Sequence, residues 1–338
     1  MNRREYLLNG IGAASAVSLA GLAGCLDDGQ ASGEFPSDSL TWMIPWSEGG
    51  GTDVYARQLA PLAEDALGEP IEIHNESGAG GLRGMEWLDS QPDDGYVFGT
   101  ANTPSWQFGW RVRSIDDWEP ANFEPIAYSG VFGYVIIVND KYGIDDFGEL
   151  RDAYADGELE RFAYQGVGHD SHAISYLLRD DYDLEWDNAV AFDGGDGVNE
   201  AVMSDEAPAG IATNTSAIEA VNSGDVSAVV SLMDTDIPAF PEIDRITNYG
   251  DSLSYIAEFE LTQVAPPGTP VEVRREIADA IEVAATHDDT TAWEEETGNI
   301  VEYGDLDETE TILEEALDDL EENIDFEEFE QRVEAAEE

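Results

Sequence analysis

Leu40-Thr41-Trp42-Met43-Ile44, followed by Glu48-Gly49-Gly50-Gly51-Thr52-Asp53, is the stretch that decides the fold: an apolar strand enters a glycine loop and a helical pattern begins at once. A second unit repeats the design. The short strand Ile71-Glu72-Ile73 closes on Ser77-Gly78-Ala79-Gly80-Gly81, and Pro92-Asp93-Asp94-Gly95-Tyr96 leads into another strand. Strand-to-helix turns stripped of side chains leave backbone N–H groups at helix N-termini free to meet an anion. Gly49, Gly50, Gly51, Thr52 and Asp53 are therefore candidate ligand contacts, because glycine lets a ligand approach the main chain closely. The plainer alternative is a turn capped by Thr52 and Asp53 with no ligand. Asp53 is expected to act through that capping position, or to pair with an ammonium group if the ligand is an amino acid. Gly80 and Gly81 either face a cleft or allow a close loop-to-strand approach. Asn102 and Thr103, after the strand ending at Thr100, are placed to donate to a carboxylate or to cap the next helix.

Outward from this region, strands are expected at 96–98, 134–138, 162–164, 189–192, 209–212, 226–231 and 261–265. Helices are expected at 53–67, 145–156, 171–179, 197–203, 270–285 and 307–324. Such alternation is the pattern of an α/β protein with helices on both faces of its sheets. In the last helix Leu313, Ala316, Leu317, Leu320 and Ile324 form one apolar stripe, which marks a docked amphipathic helix. Beyond Asp325 the chain is mostly Glu and is expected to fray. Pro61, inside the first helical pattern, removes one backbone hydrogen bond.

The N-terminus reads as an export signal over residues 1–24. Asn2-Arg3-Arg4-Glu5-Tyr6-Leu7 is a twin-arginine motif, and the apolar run after it is too short to span a bilayer. Leu22-Ala23-Gly24-Cys25 reads as a lipobox, with Cys25 as the lipidated mature N-terminus and 25–39 as a tether. An incidental cysteine behind an ordinary signal is the alternative. Cys25 is the only cysteine, so neither an internal disulfide nor a cysteine nucleophile is available.

Lys and Arg number 14 against 75 Asp and Glu, a formal net charge of −61; Arg3, Arg4 and Glu5 together contribute +1, so the mature chain carries −61 − 1 = −62. Like charges oppose compaction, yet 42% hydrophobic and 10% aromatic residues in strand-like and helix-like runs argue for a folded chain. The two facts are reconciled in an extreme halophile, because at ~1 M salt the Debye length is only ~3 Å. Nucleic acid and anionic membrane surfaces are excluded as electrostatic partners.

Pro45, Gly49-Gly50-Gly51-Thr52-Asp53, Arg57, Leu67-Gly68, Asn75, Gly78-Ala79-Gly80-Gly81 and Pro92-Asp93-Asp94-Gly95-Tyr96 occur in an order that resembles the Bug-type receptors. These are the extracytoplasmic solute-binding proteins of tripartite tricarboxylate transporters. Weaker matches follow at Gly166-Val167-Gly168-His169-Asp170-Ser171-His172, Phe192-Asp193-Gly194-Gly195 and Ala265-Pro266-Pro267-Gly268-Thr269-Pro270, so the resemblance covers about 40–324. It implies a two-lobed periplasmic-binding-protein fold (type II-like), with mixed sheets flanked by helices and two crossover segments. Lobe one would be 40–134 with 261–338, and lobe two 135–260; the crossings are expected at 134–138 and 261–265. It also implies ligand contacts at Gly168, His169, Ser171, His172, Gly194 and Gly195, a small mono-, di- or tricarboxylate as ligand, the transporter's membrane subunits as partners, and a monomer without cofactor. The chain departs from the family at Glu48 (usually Pro), His169 (usually Ser) and Asp193 (usually Lys).

The residues also raise two rival classes. A nucleotide- or phosphate-dependent surface enzyme would use the glycine loops, but Gly78-Ala79-Gly80-Gly81-Leu82-Arg83-Gly84 lacks the dinucleotide spacing, and the only lysine, Lys141, is remote from it. No Gly-x-Ser-x-Gly elbow supports a hydrolase. A metal-binding receptor would use His169 and His172, with Asp170, Asp193 and Asp196 as possible companions, but a three-residue spacing in a loop is a weak metal signal.

Overall fold

The computed structural model describes residues 35–192 and 194–337; the expected export signal, Cys25 and Asp193 lie outside the described residues. The strands are β1 (Leu40–Ile44), β2 (Ile71–Asn75), β3 (Val97–Thr103), β4 (Glu124–Asn139), β5 (Arg161–Gln165), β6 (Asn188–Phe192), β7 (Ala209–Thr213), β8 (Val226–Ser231) and β9 (Glu258–Ala265). The helices are α1 (Gly51–Leu67), α2 (Leu82–Asp89), α3 (Ser105–Val112), α4 (Phe147–Ala155), α5 (Asp170–Asp181), α6 (Gly194–Met203), α7 (Asn214–Ser223), α8 (Ser254–Ala257), α9 (Val271–Ala285), α10 (Asp288–Thr297), α11 (Leu306–Asn323) and α12 (Phe326–Glu337). Among the described residues no helix is long and apolar enough to cross a membrane.

The strands join in the order β2-β1-β3-β9-β4-β7-β5-β6, with β8 also paired to β4. β1 runs parallel to β2 and β3, and β9 lies antiparallel between β3 and β4. β4 thus points the same way as β1 and β3. Its first part pairs with β9 as far as Gly133, and from Tyr134 onward it pairs antiparallel with β7 and β8. β5, β6 and β7 are mutually parallel and so run opposite to β1 and β3. The carboxyl ends of the two strand sets consequently face each other across the middle of β4. In open α/β sheets such ends, with the helix N-termini behind them, are where ligands bind.

β4 is central because Val135, Ile136 and Ile137 have no exposed surface, the two-sided burial typical of an interior strand. Gly133 marks the change of partner: a Cβ there would overlap the Ala257 carbonyl. The first part of the sheet is covered by α1 and α9, through Leu59, Ala60, Ile277 and Ile281.

The expected elements appear, most with ends moved by a few residues, but β4 begins at Glu124 rather than at 134, and the sheet is mixed because β9 returns antiparallel. One reading of the chain is corrected. Residues 214–223, not among the expected helices, form α7, which Thr213 caps by accepting the Ser216 amide. The acidic C-terminus does not fray. Phe326, Phe329 and Val333 recur at helical spacing, and α12 buries the first two to 5% and 4% exposure. Both pack on Phe108 of α3, with ring centroids 5.7 and 5.4 Å apart, and Phe329 also meets His172 of α5. Counting Glu residues hid three apolar ones on a single stripe.

Candidate functional site

The N-termini of α1 and α3 on one side and of α5, α6 and α7 on the other converge where β4 changes partners. The approach is close. A Cβ built on Gly51 would come 2.8 Å from the Thr215 hydroxyl, and one on Gly80 would come 3.5 Å from the His169 ring. A Cβ on Gly195 would lie 3.0 Å from Ser216 Oγ and 3.6 Å from Gln165 Nε2. Gly80 and Gly81 have φ of +69° and +89°, the left-handed region that glycine enters without strain. Gly81 also abuts Trp46, whose ring stands 6.1 Å from that of His169.

On the first side, the helix cap at Gly50 makes no side-chain bond. Asp53 instead sits one turn in, without exposed surface, and reaches back. Its Oδ2 accepts from the Gly49 amide (2.8 Å) and Arg57 Nε (2.7 Å), and its Oδ1 accepts from Asn75 Nδ2 (2.8 Å). Burial pushes the carboxyl up, but Arg57, the Gly49 amide and Asn75 outweigh it and hold it below the usual carboxylate range. Asp53 therefore does not cap α1 at its first position; with both oxygens engaged it pins the Gly49 loop. Thr52 donates to Asn102 Oδ1 at 3.0 Å. Thr103 Oγ1 shares a hydrogen bond with Thr262 Oγ1 (2.8 Å) and accepts one from Trp106 Nε1 (3.2 Å), so its hydroxyl is engaged inside the protein.

On the second side, Asp170 is 1% exposed. Its Oδ1 accepts from Tyr134 Oη (2.7 Å) and the Ser171 amide (2.6 Å) and pairs with His169 Nδ1. Burial raises this carboxyl too, and the neighbouring His169 prevails, with help from Ser105 and Tyr134, to keep it low. The Ser105 hydroxyl of α3 is thus near enough to act on its charge, although no hydrogen bond of full geometry reaches Oδ2. Ser171 and His172 serve the loop from beneath. Ser171 Oγ accepts from the Gln165 amide and donates to the Gln165 carbonyl. His172 Nδ1 accepts from the Gly168 amide at 3.3 Å, while its ring stacks on Tyr164 at 4.5 Å. Burial drives His172 down to about 4, so it is neutral at pH 7. The two histidines hold different partners, and among the described residues no three His, Cys, Asp or Glu side chains gather as a metal-holding group.

Several hydrogen-bond donors at the junction have no acceptor among the described residues: the amides of Gly51, Thr52, Asp53 and Thr215, in the first turns of α1 and α7, and the buried Trp46 Nε1, Gln165 Nε2 and Asn214 Nδ2. A buried unmatched donor costs about 1–3 kcal/mol, so a ring of them is complementary to an anion with several acceptor atoms. Trp46, Gln165, Thr213, Asn214, Thr215 and Ser216 escape a sequence reading because they carry no glycine signature. The signal that would reveal them is the Thr-Asn-Thr-Ser cluster directly after a strand, the same strand-to-helix grammar written with hydroxyls.

This arrangement, strand ends and helix N-termini meeting from two sides, is that of periplasmic binding proteins, whose structures share the fold. Residues 55–322 match the model of the tripartite tricarboxylate transporter family receptor, and the chain belongs to that family of solute-binding receptors. It is 24% identical to the protein BugT of Bordetella pertussis over 245 residues, 71% of this chain and 74% of that one. Among solved structures, MatC from Rhodopseudomonas palustris with bound malate superposes with a TM-score of 0.70 at 22% identity, covering 88% of this chain and 100% of that chain. A second R. palustris protein, with adipate, superposes with a TM-score of 0.74 at 18% identity, covering 88% and 99%.

Proposed function

We propose that this receptor captures a small carboxylate, a dicarboxylate foremost, by closure of two lobes, 40–134 with 261–338 and 135–260, and presents it to the membrane subunits of a tripartite transporter. The observation that carries the reading is the set of unmatched donors at Gly51, Thr52, Trp46, Gln165 and Asn214, contributed to one junction from both sides. Two neighbours of the same fold are described with malate and with adipate. Main-chain amides and side-chain donors replace the water of the carboxylates, and helix N-termini favour their charge. The net charge of −61 does not prevent this, since in brine the long-range field is screened while hydrogen bonds survive.

Calorimetry in molar salt across mono-, di- and tricarboxylates, with a neutral sugar and a divalent metal as controls, tests the assignment. Gly51→Val should lower carboxylate affinity at least ~100-fold, about 3 kcal/mol, with an unchanged melting midpoint. A response to the sugar or metal without one to carboxylates overturns it.

We also propose lipid attachment at Cys25 after twin-arginine export, and adaptation to high salt. Cys25→Ser should release the protein from membranes; partition identical to wild type refutes the anchor. On dialysis from molar salt to ~10 mM, where the Debye length is ~30 Å, circular dichroism should show loss of the cooperative melt. A midpoint that does not move would refute the salt adaptation.

A further inference from the structure

The last helix, α12, is shared between the two sides of the junction. It falls outside residues 55–322, the stretch matched by the family model, so family membership does not account for it. The first half of the helix rests on α3. Phe326 packs on Phe108, Arg111 lies over the Phe326 ring at 4.8 Å, and Glu330 pairs with Arg111 at 3.4 Å. The second half rests on α5, where Arg332 pairs with Asp180 at 2.7 Å and lies over the Tyr176 ring at 4.4 Å. Phe329, buried between them, serves both, with its ring centroid 5.4 Å from Phe108 of α3 and 5.4 Å from His172 of α5.

The α5 end also reaches the glycine loop of the second side. Val333 Cγ1 would lie 3.8 Å from a Cβ on Gly168, and His172, against which Phe329 packs, accepts the Gly168 amide at 3.3 Å. Exposed ion pairs are weak and weaker still in salt, so the buried rings carry most of the attachment. An element fastened to both sides keeps all of its contacts only while the sides stay together. Its contact energy therefore favours the closed arrangement, and a ligand held there leaves more slowly.

We propose that α12 is a strap that fastens α3 to α5 and retards release of the captured carboxylate. This rests on the reading of capture by closure above and adds the element that holds the closed state. The coupling is reciprocal: a ligand held between the sides strengthens the docking of α12 by the factor by which α12 strengthens the ligand.

Malate and adipate are the probes, with the full chain in molar salt and release followed by stopped flow. Phe329→Ala should speed release about tenfold, a contact of about 1.4 kcal/mol. Arg332→Ala, at the α5 end, and Phe326→Ala, at the α3 end, should each speed it to a lesser extent. The α3 end decides the matter, because a helix that merely supported α5 would respond to Arg332→Ala and not to Phe326→Ala. Scattering from ligand-free Phe329→Ala should give a larger radius than wild type, and excess malate should bring the two together. Wild type supplies a test that needs no variant: saturating malate should slow hydrogen exchange of the α12 amides by about the same tenfold. Release unchanged in Phe326→Ala, or exchange in α12 indifferent to bound malate, overturns the strap and leaves the receptor reading intact. Absence of carboxylate binding by wild type defeats both.

Discussion

Asp53 and Asp170 occupy equivalent places on the two sides of the junction. Each lies in the first turn of a helix after a glycine loop, each is buried, and each is held below the usual carboxylate range. What neutralises them differs. Asp53 is paired with Arg57 four residues on, a guanidinium that keeps its charge at every physiological pH. Asp170 is paired with the His169 imidazole and with the Tyr134 hydroxyl of the central strand. The same local grammar thus yields a wall fixed by a guanidinium on one side and one held by an imidazole and a phenol on the other. A buried carboxylate at a helix N-terminus is accordingly no guide to function until its partner is known.

The comparison breaks most sharply at Asp53. Asp53→Ala removes three hydrogen bonds and the acceptor that fixes the Gly49 amide. Losing one member of a buried pair costs about 3–5 kcal/mol, and the lower end is expected here because Arg57 can turn to solvent. Chemical denaturation in molar salt should show that loss, and equally at pH 6 and pH 8. A pH-dependent loss would mean that the wall is not fixed.

The second side should respond to acid where the first does not. His172 is lowered from 6.5 to about 4, so its folded form resists a proton that the unfolded chain accepts. Its contribution is complete above pH ~6.5 and lost as pH falls toward 4, up to about 3 kcal/mol. Asp53, also lowered, keeps its contribution across that window and loses it only below the ordinary carboxylate range. Denaturation at pH 7 and pH 4.5 should therefore differ less in His172→Phe than in wild type, and an equal difference in both would reject this account.

Glu260 gives the opposite sign. It lies on β9 opposite Thr103 and Val131, and burial, then Glu258 and Glu302, raise it from 4.5 to about 7. A raised carboxyl contributes stability below the unfolded value and loses it as pH rises through about 7. Glu260→Gln should gain up to about 3 kcal/mol at pH 8.5 and almost nothing at pH 4.5. Molar salt trims the gain by screening the other two carboxylates, but not the burial part.

The smallest effect sharpens the comparison. Arg57→Lys keeps the charge beside Asp53 but loses the guanidinium's second reach, to Asn75 at 3.2 Å. About 1 kcal/mol is expected, with no change in carboxylate affinity. A loss of affinity beyond tenfold would move Arg57 from support into the site.

Much of this molecule is local and therefore legible in the chain. The alternation that yields β1 to α1, the glycines at 49–51 and 78–81, and the stripe from Leu313 to Ile324 each follow from steric freedom or periodicity within one segment. The Asp53–Arg57 pair is also a local i,i+4 spacing, although the capping role first suggested for Asp53 gave way to it. The chain is least legible where local signals are weak: α7 begins in hydroxyl and amide residues that carry no apolar stripe, and α12 reads as a mostly Glu tail because Phe326 and Phe329 find their partner, Phe108, far away in sequence.

By itself the sequence determined the strand-to-helix units, their order and the side-chain-free turns, because these depend on neighbours within a few residues. Only the tertiary structure decided that β4 serves both parts of the sheet with its partners reversed at Gly133–Tyr134, which turns five helix N-termini toward one junction. Only there do Tyr134 and Asp170, 36 residues apart, meet at 2.7 Å, and His169 come to face Gly80. The physical reason is that a strand's direction and a buried charge's partner are chosen by chain segments far away in sequence, and no local propensity encodes them.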